Sequence, residues 1–164
     1  MAVRIEPYGP AHAPAFQEMA ADARIAATTL VPHPYPPGAA LAFARDAERA
    51  RRRREAFSFA VLDGGTVVGS CGIKHLDWDA GRGEIGYWIG VRYWGRGYAS
   101  AAVRLATAFG VGDLGLERVV AEVIEGNDAS ARVLEKAGYR RERTFPNVND
   151  RHAGVPTVLF AFGP

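Results

Sequence analysis

The sequence predicts an α+β (mixed α/β) domain, and three observations carry that prediction. Short runs of strand character recur at Val3–Glu6, Phe57–Leu62, Thr66–Ile73, Glu84–Ile89, Arg118–Ile124, Tyr139–Phe145 and Val155–Phe162. Apolar residues fall at helical spacing over His12–Arg24, Ala39–Glu55, Ala99–Phe109 and Ala129–Ala137. The resulting order is strand, two helices, three strands, helix, strand, helix, two strands, which suits a mixed sheet with helices on its faces. The chain has 164 residues, 48% of them hydrophobic and 23% charged, so residues 1–164 read as one domain with its own core.

Each element has local grounds. Pro7 to Pro10 end the first strand, and Phe16, Met19, Ala20 and Ala23 line one side of the helix that follows. Leu30 to Gly38 holds four prolines, which forbid regular structure and stiffen an extended loop. Strong helix formers fill Ala39–Glu55, with Leu41, Phe43 and Ala47 apolar. Asp63-Gly64-Gly65 between two β-prone runs is a hairpin signal. Gly110 to Gly115 ends the third helix. The fourth has Asn127 or Asp128 as N-cap, Lys136 in the last turn and Gly138 as its left-handed stop.

Composition removes several function classes. A lone Cys71 excludes multi-cysteine metal frameworks and an intrachain disulfide. The four histidines are scattered without ligand spacing, so no metal site is expected. No apolar run approaches the roughly 20 residues that span a bilayer, and Met1–Pro10 lacks a signal-peptide pattern. A soluble cytoplasmic protein is the expectation. A formal charge of +2 demands neither nucleic acid nor membrane as partner.

The chemistry concentrates in Glu84–Arg143. A strand, a glycine turn and a helix place a helix N-terminus at a strand's carboxyl end, where free N–H groups and the helix dipole favour anions. No Walker P-loop is present. A dinucleotide fingerprint fails because Gly95-Arg96-Gly97-Tyr98-Ala99 continues into Ser100, where a third glycine is required.

Trp94-Gly95-Arg96-Gly97-Tyr98-Ala99 instead resembles the Gln/Arg-x-x-Gly-x-Gly/Ala pyrophosphate loop of the GCN5-related N-acetyltransferase (GNAT) superfamily. Trp94 departs from the pattern, and a register starting at Arg92 also meets it formally. About thirty residues later, Asn127 to Tyr139 is similar to the Asn-x-x-Ser-x-x-x-Leu-x-Lys-x-Gly-Phe/Tyr segment of the same superfamily. Glu84 to Tyr98 looks most like the RimJ/RimL-like branch, which acetylates the N-termini of ribosomal proteins. Outside Glu84–Tyr139 the likeness is one of topology.

The resemblance implies a mixed, mostly antiparallel sheet of about seven strands, four flanking helices and a splayed parallel pair. It implies acetyl-CoA as cosubstrate and no metal. Ile89 and Val91 would contact pantetheine, Gly95, Arg96, Gly97, Tyr98 and Ala99 would hold the pyrophosphate, and Asn127 and Ser130 would complete the cofactor site. Implied partners are an amine acceptor, either a protein N-terminus or a small molecule, and a second copy in a homodimer. Nucleic acid is expected only indirectly, through a ribosomal substrate.

Amine acetylation by a thioester needs a neutral amine, a donor to the oxyanion and a proton for the departing thiolate. Glu84 is the candidate base, directly or through water; an N–H near Ile89 is the oxyanion donor. Ser130, or a tyrosine such as Tyr98, would protonate the thiolate. Neutralising a lysine amine at pH 7 costs about 4.6 kcal/mol, whereas an α-amine costs about 1.1, which favours an α-amine or another amine of low pKa. Tyr35, Trp78 and Phe145 are expected to wall the acceptor pocket. A small-molecule acetyltransferase remains an alternative, as does a non-catalytic acetyl-CoA sensor that docks on RNA through Arg51–Arg54.

Overall fold

Seven strands form one sheet in the order β1-β2-β3-β4-β5-β7-β6. They are β1 (Val3–Pro7), β2 (Phe57–Asp63), β3 (Thr66–Asp77), β4 (Arg82–Ile89), β5 (Arg118–Ile124), β6 (Arg140–Phe145) and β7 (Thr157–Phe162). The helices are α1 (Ala13–Ala20), α2 (Ala23–Ala26), α3 (Ala39–Arg52), α4 (Tyr98–Ala108) and α5 (Asp128–Lys136). This computed structural model describes residues 1–147 and 152–164. Among the described residues, no helix is long and apolar enough to cross a membrane.

Among the described residues five α-helices stand where four were expected. The run His12–Arg24 breaks because Asp22 leaves helical geometry, with φ −70° and ψ 123°, and caps a new single turn through the Arg24 N–H. On α3 the buried stripe is Ala40, Ala44 and Ala47, while Leu41 is 41% exposed. Small residues therefore seat this helix close to the sheet.

Alternation along the strands builds two cores. On one face, Ile85, Ile89, Val119, Ala121 and Val123 pack with Ala102, Val103 and Ala106 of α4 and Leu134 of α5. On the other, Ala60 and Leu62 pack under Tyr8, Phe16, Ala20, Ala40 and Ala44 of the N-terminal region. Helices α1 to α3 thus cover one face, and α4 and α5 the other.

Every neighbouring pair of strands is antiparallel except β4 with β5. That parallel pair is short: Arg82 opposes Arg118, Gly83 opposes Val119 and Glu84 opposes Val120. Gly83 leaves room beside this pair for core side chains, since a Cβ there would stand 2.8 Å from Ile73 Cγ2 and 3.0 Å from Leu116 Cδ1. Beyond Glu84 and Val120 both strands continue, but no longer together.

Candidate active site

The parting of β4 and β5 opens a cavity of about 1260 Å³ that reaches both faces of the sheet. Its walls include Tyr87 and Ile89 from β4, Glu122 and Ile124 from β5, Ala99 from α4, and Asn127 and Ser130 at the start of α5. The backbone of β4 is directed into it. Gly90 N–H donates to the Val68 carbonyl at 2.9 Å, so Ile89, which opposes Gly69, is a non-hydrogen-bonded pair in the β3–β4 ladder. By the same alternation, the N–H groups of Tyr87 and Ile89 turn away from β3 and toward the gap. The Ile89 carbonyl accepts the Trp94 indole N–H at 2.7 Å. Trp94 therefore folds back on the end of β4 and braces the loop where the family pattern has Gln or Arg.

Beyond that brace, Gly95 and Gly97 adopt φ of +73° and +83° and swing the chain into α4. These are left-handed conformations that glycine takes without steric cost. No side chain caps α4, whose first intrahelical bond to the loop runs from Ala101 N–H to the Gly97 carbonyl. The N–H groups of Tyr98, Ala99 and Ser100 consequently lack helical acceptors, which makes the start of this 11-residue helix an anion-binding surface. Across the cavity, Arg132 and Lys136 of α5 add two cations to the wall.

Asn127 caps α5 through Oδ1, which accepts the Ser130 N–H at 3.3 Å. Its amide NH2 is left to donate into the cavity it lines. Ser130 Oγ and the Tyr87 hydroxyl are 2.5 Å apart. Burial pushes the Tyr87 phenol up to about 12, against the opposing effect of the Ser130 hydrogen bond, so the pair retains its protons at neutral pH.

On the opposite face two carboxylates flank the gap. Glu84 is engaged on both oxygens: His75 Nδ1 lies 2.7 Å from Oε2, and Lys74 Nζ lies 3.6 Å from Oε1. His75 reaches it from a register shift in β3, with φ of +48°. Glu122 lies two residues past Val120 on the same face and lines the cavity. It makes no hydrogen bond or ion pair among the described residues. Desolvation, then the nearby Glu84 charge, raises its pKa above the ordinary carboxylate value, with Lys74, His75 and Arg82 opposing.

Most residues singled out in the sequence meet here, with corrections. Glu84, Ile89, Gly95, Tyr98, Ala99, Asn127, Ser130 and Tyr35 line the cavity. Val91, Arg96 and Gly97 belong to the same loop without lining it; the Arg96 guanidinium lies 6.0 Å from the centre of the Tyr93 ring, and Tyr93 does line it. The Tyr98 hydroxyl is spent on Asp63 Oδ2 at 2.6 Å, so its phenol is not available to a thiolate. Trp78 is no wall of the pocket: it carries the Arg54 guanidinium at 4.3 Å and donates Nε1 to the Arg54 carbonyl. Phe145 is also displaced from the expected place, packing on Val120, Leu159 and Ala161 beside a separate shallow hollow.

Arg51 stacks over Phe57 and Phe59, and Arg52 pairs with Glu48, so the Arg51–Arg54 run is largely engaged within the fold. Glu122, Tyr87, Arg132 and Lys136 escaped sequence reading. Only alternation along β5 and β4 could have hinted at the first two, and only once register was known.

Comparison with known proteins agrees with this geometry. The N-acetyltransferase p20 of Bacillus licheniformis is 37% identical over 86 residues, which are 52% of this chain and 48% of that one. The matched stretch thus spans about half the length of that relative. A RimL ribosomal-protein alpha-N-acetyltransferase in complex with coenzyme A superposes with a TM-score of 0.87 at 14% identity, over 99% of this chain and 94% of that one. The microcin self-immunity acetyltransferase MccE, in complex with acetyl-CoA and AMP, gives a TM-score of 0.87 at 14% identity, over 99% and 93%. These likenesses concern the fold. The family profile of the acetyltransferase (GNAT) domain matches residues 2–140, a span that holds both splayed strands and the helices closing the gap, and the chain belongs to that family.

Proposed function

We propose that this chain transfers the acetyl group of acetyl-CoA to a primary amine, with the N-terminal α-amine of a protein as the leading acceptor. The observation that carries the reading is the parting of β4 and β5 after Glu84 and Val120, which joins an uncapped helix start on one face to two carboxylates on the other. The residues present suit the cosubstrate. Free N–H groups of Tyr98 to Ser100 match a pyrophosphate, Arg132 and Lys136 complement its charge, and the unpaired β4 edge matches the amides of pantetheine.

Bound there, acetyl-CoA would supply a thioester whose carbonyl carbon is attacked by the amine nitrogen as the carbon–sulfur bond breaks. The chain's own groups then divide the work. Glu84, held by His75 and Lys74, fixes the charge pattern at the mouth of the gap, while Glu122, without a partner among the described residues, takes the proton that the ammonium must lose. The Ile89 N–H donates to the carbonyl oxygen as negative charge grows on it. Ser130, backed by the Tyr87 hydroxyl, holds a proton for the sulfur.

An α-amine suits a single raised carboxylate as base, because it needs far less help to lose its proton than a lysine does. A small-molecule amine is the second reading, favoured by the aromatic-lined part of the cavity on the Glu122 face. The test is thiol release from acetyl-CoA by the full chain with N-terminal peptides and small amines, with the acetylated product identified by mass. Amine-dependent release supports transfer. Release no faster than background hydrolysis, together with tight acetyl-CoA binding, would make the protein a sensor.

A further inference from the structure

The part of the cavity under α1 to α3 has a consistent chemical character. Phe16, Ile25, Tyr35, Phe43, Trp88 and Ile124 face it from six different segments of the chain. Four of these are aromatic and form one cluster: ring centres of Phe16 and Trp88 are 4.8 Å apart in an edge-to-face arrangement, Phe16 and Phe43 are 5.6 Å apart, and Phe16 and Tyr35 are 6.2 Å apart. Tyr35, Phe43 and Trp88 are only partly buried, so ring surface remains for an occupant.

Charge in the chamber is confined and mostly committed. Arg24 is bound through two hydrogen bonds to Asp22, Lys74 faces Glu84, and Asp46 is paired with Arg49. Glu122 remains as a carboxylate without an ion pair among the described residues, and it stands at the gap. One cation at the throat and hydrocarbon beyond it is the complement of this surface.

We propose that the acceptor is a primary monoamine with an aromatic or branched hydrocarbon group on or next to the carbon that bears the nitrogen. The inference rests on the acetyl-transfer reading and adds what that reading leaves open, the group attached to the amine. The ammonium sits between Glu84 and Glu122, and the hydrocarbon group fills the space against Trp88, Phe43 and Tyr35. A polyamine would place its second ammonium against aromatic walls, where Asp46 is already paired with Arg49. An acceptor with an acidic group beside the amine would face the two glutamates. Filling or emptying such a pocket by a single methylene changes kcat/KM by about 10- to 200-fold, so a whole ring is expected to exceed the lower part of that range.

The experiment measures kcat/KM for the full chain with acetyl-CoA and matched acceptors: 2-phenylethylamine against ethylamine and spermidine, and peptides that begin with Phe against the same peptides beginning with Gly or Asp. The expected result is a preference of at least about 50-fold for the aromatic member of one or both series. A preference among the peptides alone assigns the acceptor to a protein N-terminus, one among the small amines alone to a metabolite, and either supports the proposal. In Trp88→Ala the ratio of aromatic to unsubstituted acceptor should fall at least about tenfold. Tyr35→Ala, on the proline-rich loop and outside any regular element, should lower the same ratio if the Trp88 variant does not fold. Acetylation of ethylamine, spermidine or Asp-initial peptides as fast as their aromatic counterparts overturns the chamber assignment and leaves acetyl transfer standing. Failure of every amine to raise thiol release overturns both.

Discussion

Replacing Gly97 separates the electrostatics of the proposed pyrophosphate site from its backbone strain. Gly97 caps α4 with φ of +83°, and a Cβ there would meet Met1 Cε at 3.6 Å, an ordinary contact. Asp and Asn at this position are nearly isosteric, and both enter left-handed geometry more readily than other side chains. Their strain therefore cancels in a comparison of Gly97→Asp with Gly97→Asn. What remains is one carboxylate facing a diphosphate of about two negative charges, at a separation of about 6 Å. Coulomb's law gives about 1.4 kcal/mol of repulsion under the screening of bulk water and about twice that at a dielectric of about 40. The Asp variant should thus bind acetyl-CoA about 10- to 100-fold more weakly than the Asn variant by calorimetry. Raising the ionic strength should narrow the gap. Thermal stability should move the other way or stay level, because an acid at a helix N-terminus is favoured by the dipole. Equal dissociation constants for the two variants would remove the diphosphate from the start of α4.

Other outcomes follow from the same geometry. Glu122→Gln should lower kcat/KM and move the acid limb of its pH profile up to the pKa of the amine itself; in the parent the limb set by Glu122 lies above the ordinary carboxylate range, since activity requires the deprotonated form of a group whose pKa is raised. The same shift means the folded state holds this proton more tightly than the unfolded chain, so its contribution to stability is lost as pH rises through the raised pKa; urea titrations at successive pH values measure it. Ser130→Ala should lower kcat by about 10- to 100-fold and leave acetyl-CoA affinity nearly unchanged, and an equal loss in both would make Ser130 a binding group only. Cys71 is buried with its thiol pushed up to about 12, so a thiol reagent at pH 8 should meet a thiolate fraction of about one in ten thousand and react only as the protein unfolds. Leu134, fully buried between α5 and the sheet, should cost about 2–5 kcal/mol on replacement by Ala, a fall of roughly 5–15 °C in melting temperature by calorimetry.

The part of the site that was legible in the sequence is the part encoded by short-range spacing. Gly95, Gly97 and the helix after them, and Asn127 and Ser130 within one turn of α5, act through neighbours a few residues away, so their pattern survives in one dimension. Glu122 acts across strands. Its meaning depends on Val120 standing opposite Glu84, and a slip of one residue in that register would turn it to the α4 face and into the core. His75 was illegible for a related reason: the register shift in β3 between Lys74 and Asp77 brings its ring to Glu84, and no residue pattern between Ile73 and Arg82 announces the shift. β4 itself begins at Arg82, two residues earlier than its alternation suggests, and those added residues form most of the parallel pairing with β5. Trp78 was misplaced because an aromatic residue on a connection has no periodicity to fix its direction, and Phe145, at the end of β6, because a register shift between Arg141 and Arg143 hides which face its strand presents. Trp78 turned to Arg54, Phe145 to Val120 and Leu159.

The two-faced cavity also constrains the order of events. The uncapped start of α4 and the chamber of aromatic side chains lie on opposite sides of one sheet, and the parting of β4 and β5 is where they meet. In the proposed reaction a donor held on one side and an acceptor held on the other need not exchange places, so the geometry lets both bind together and the amine attack directly. An acyl-enzyme route would require a nucleophile in the wall. Cys71 lines the cavity, but burial holds its sulfur as a thiol, and Ser130 faces the neutral Tyr87 phenol, with no base among the described residues hydrogen-bonded to it. The splay therefore does more than admit a ligand: by giving each substrate its own face, it favours a single displacement through a ternary complex, with Glu122 on the side from which the proton must leave.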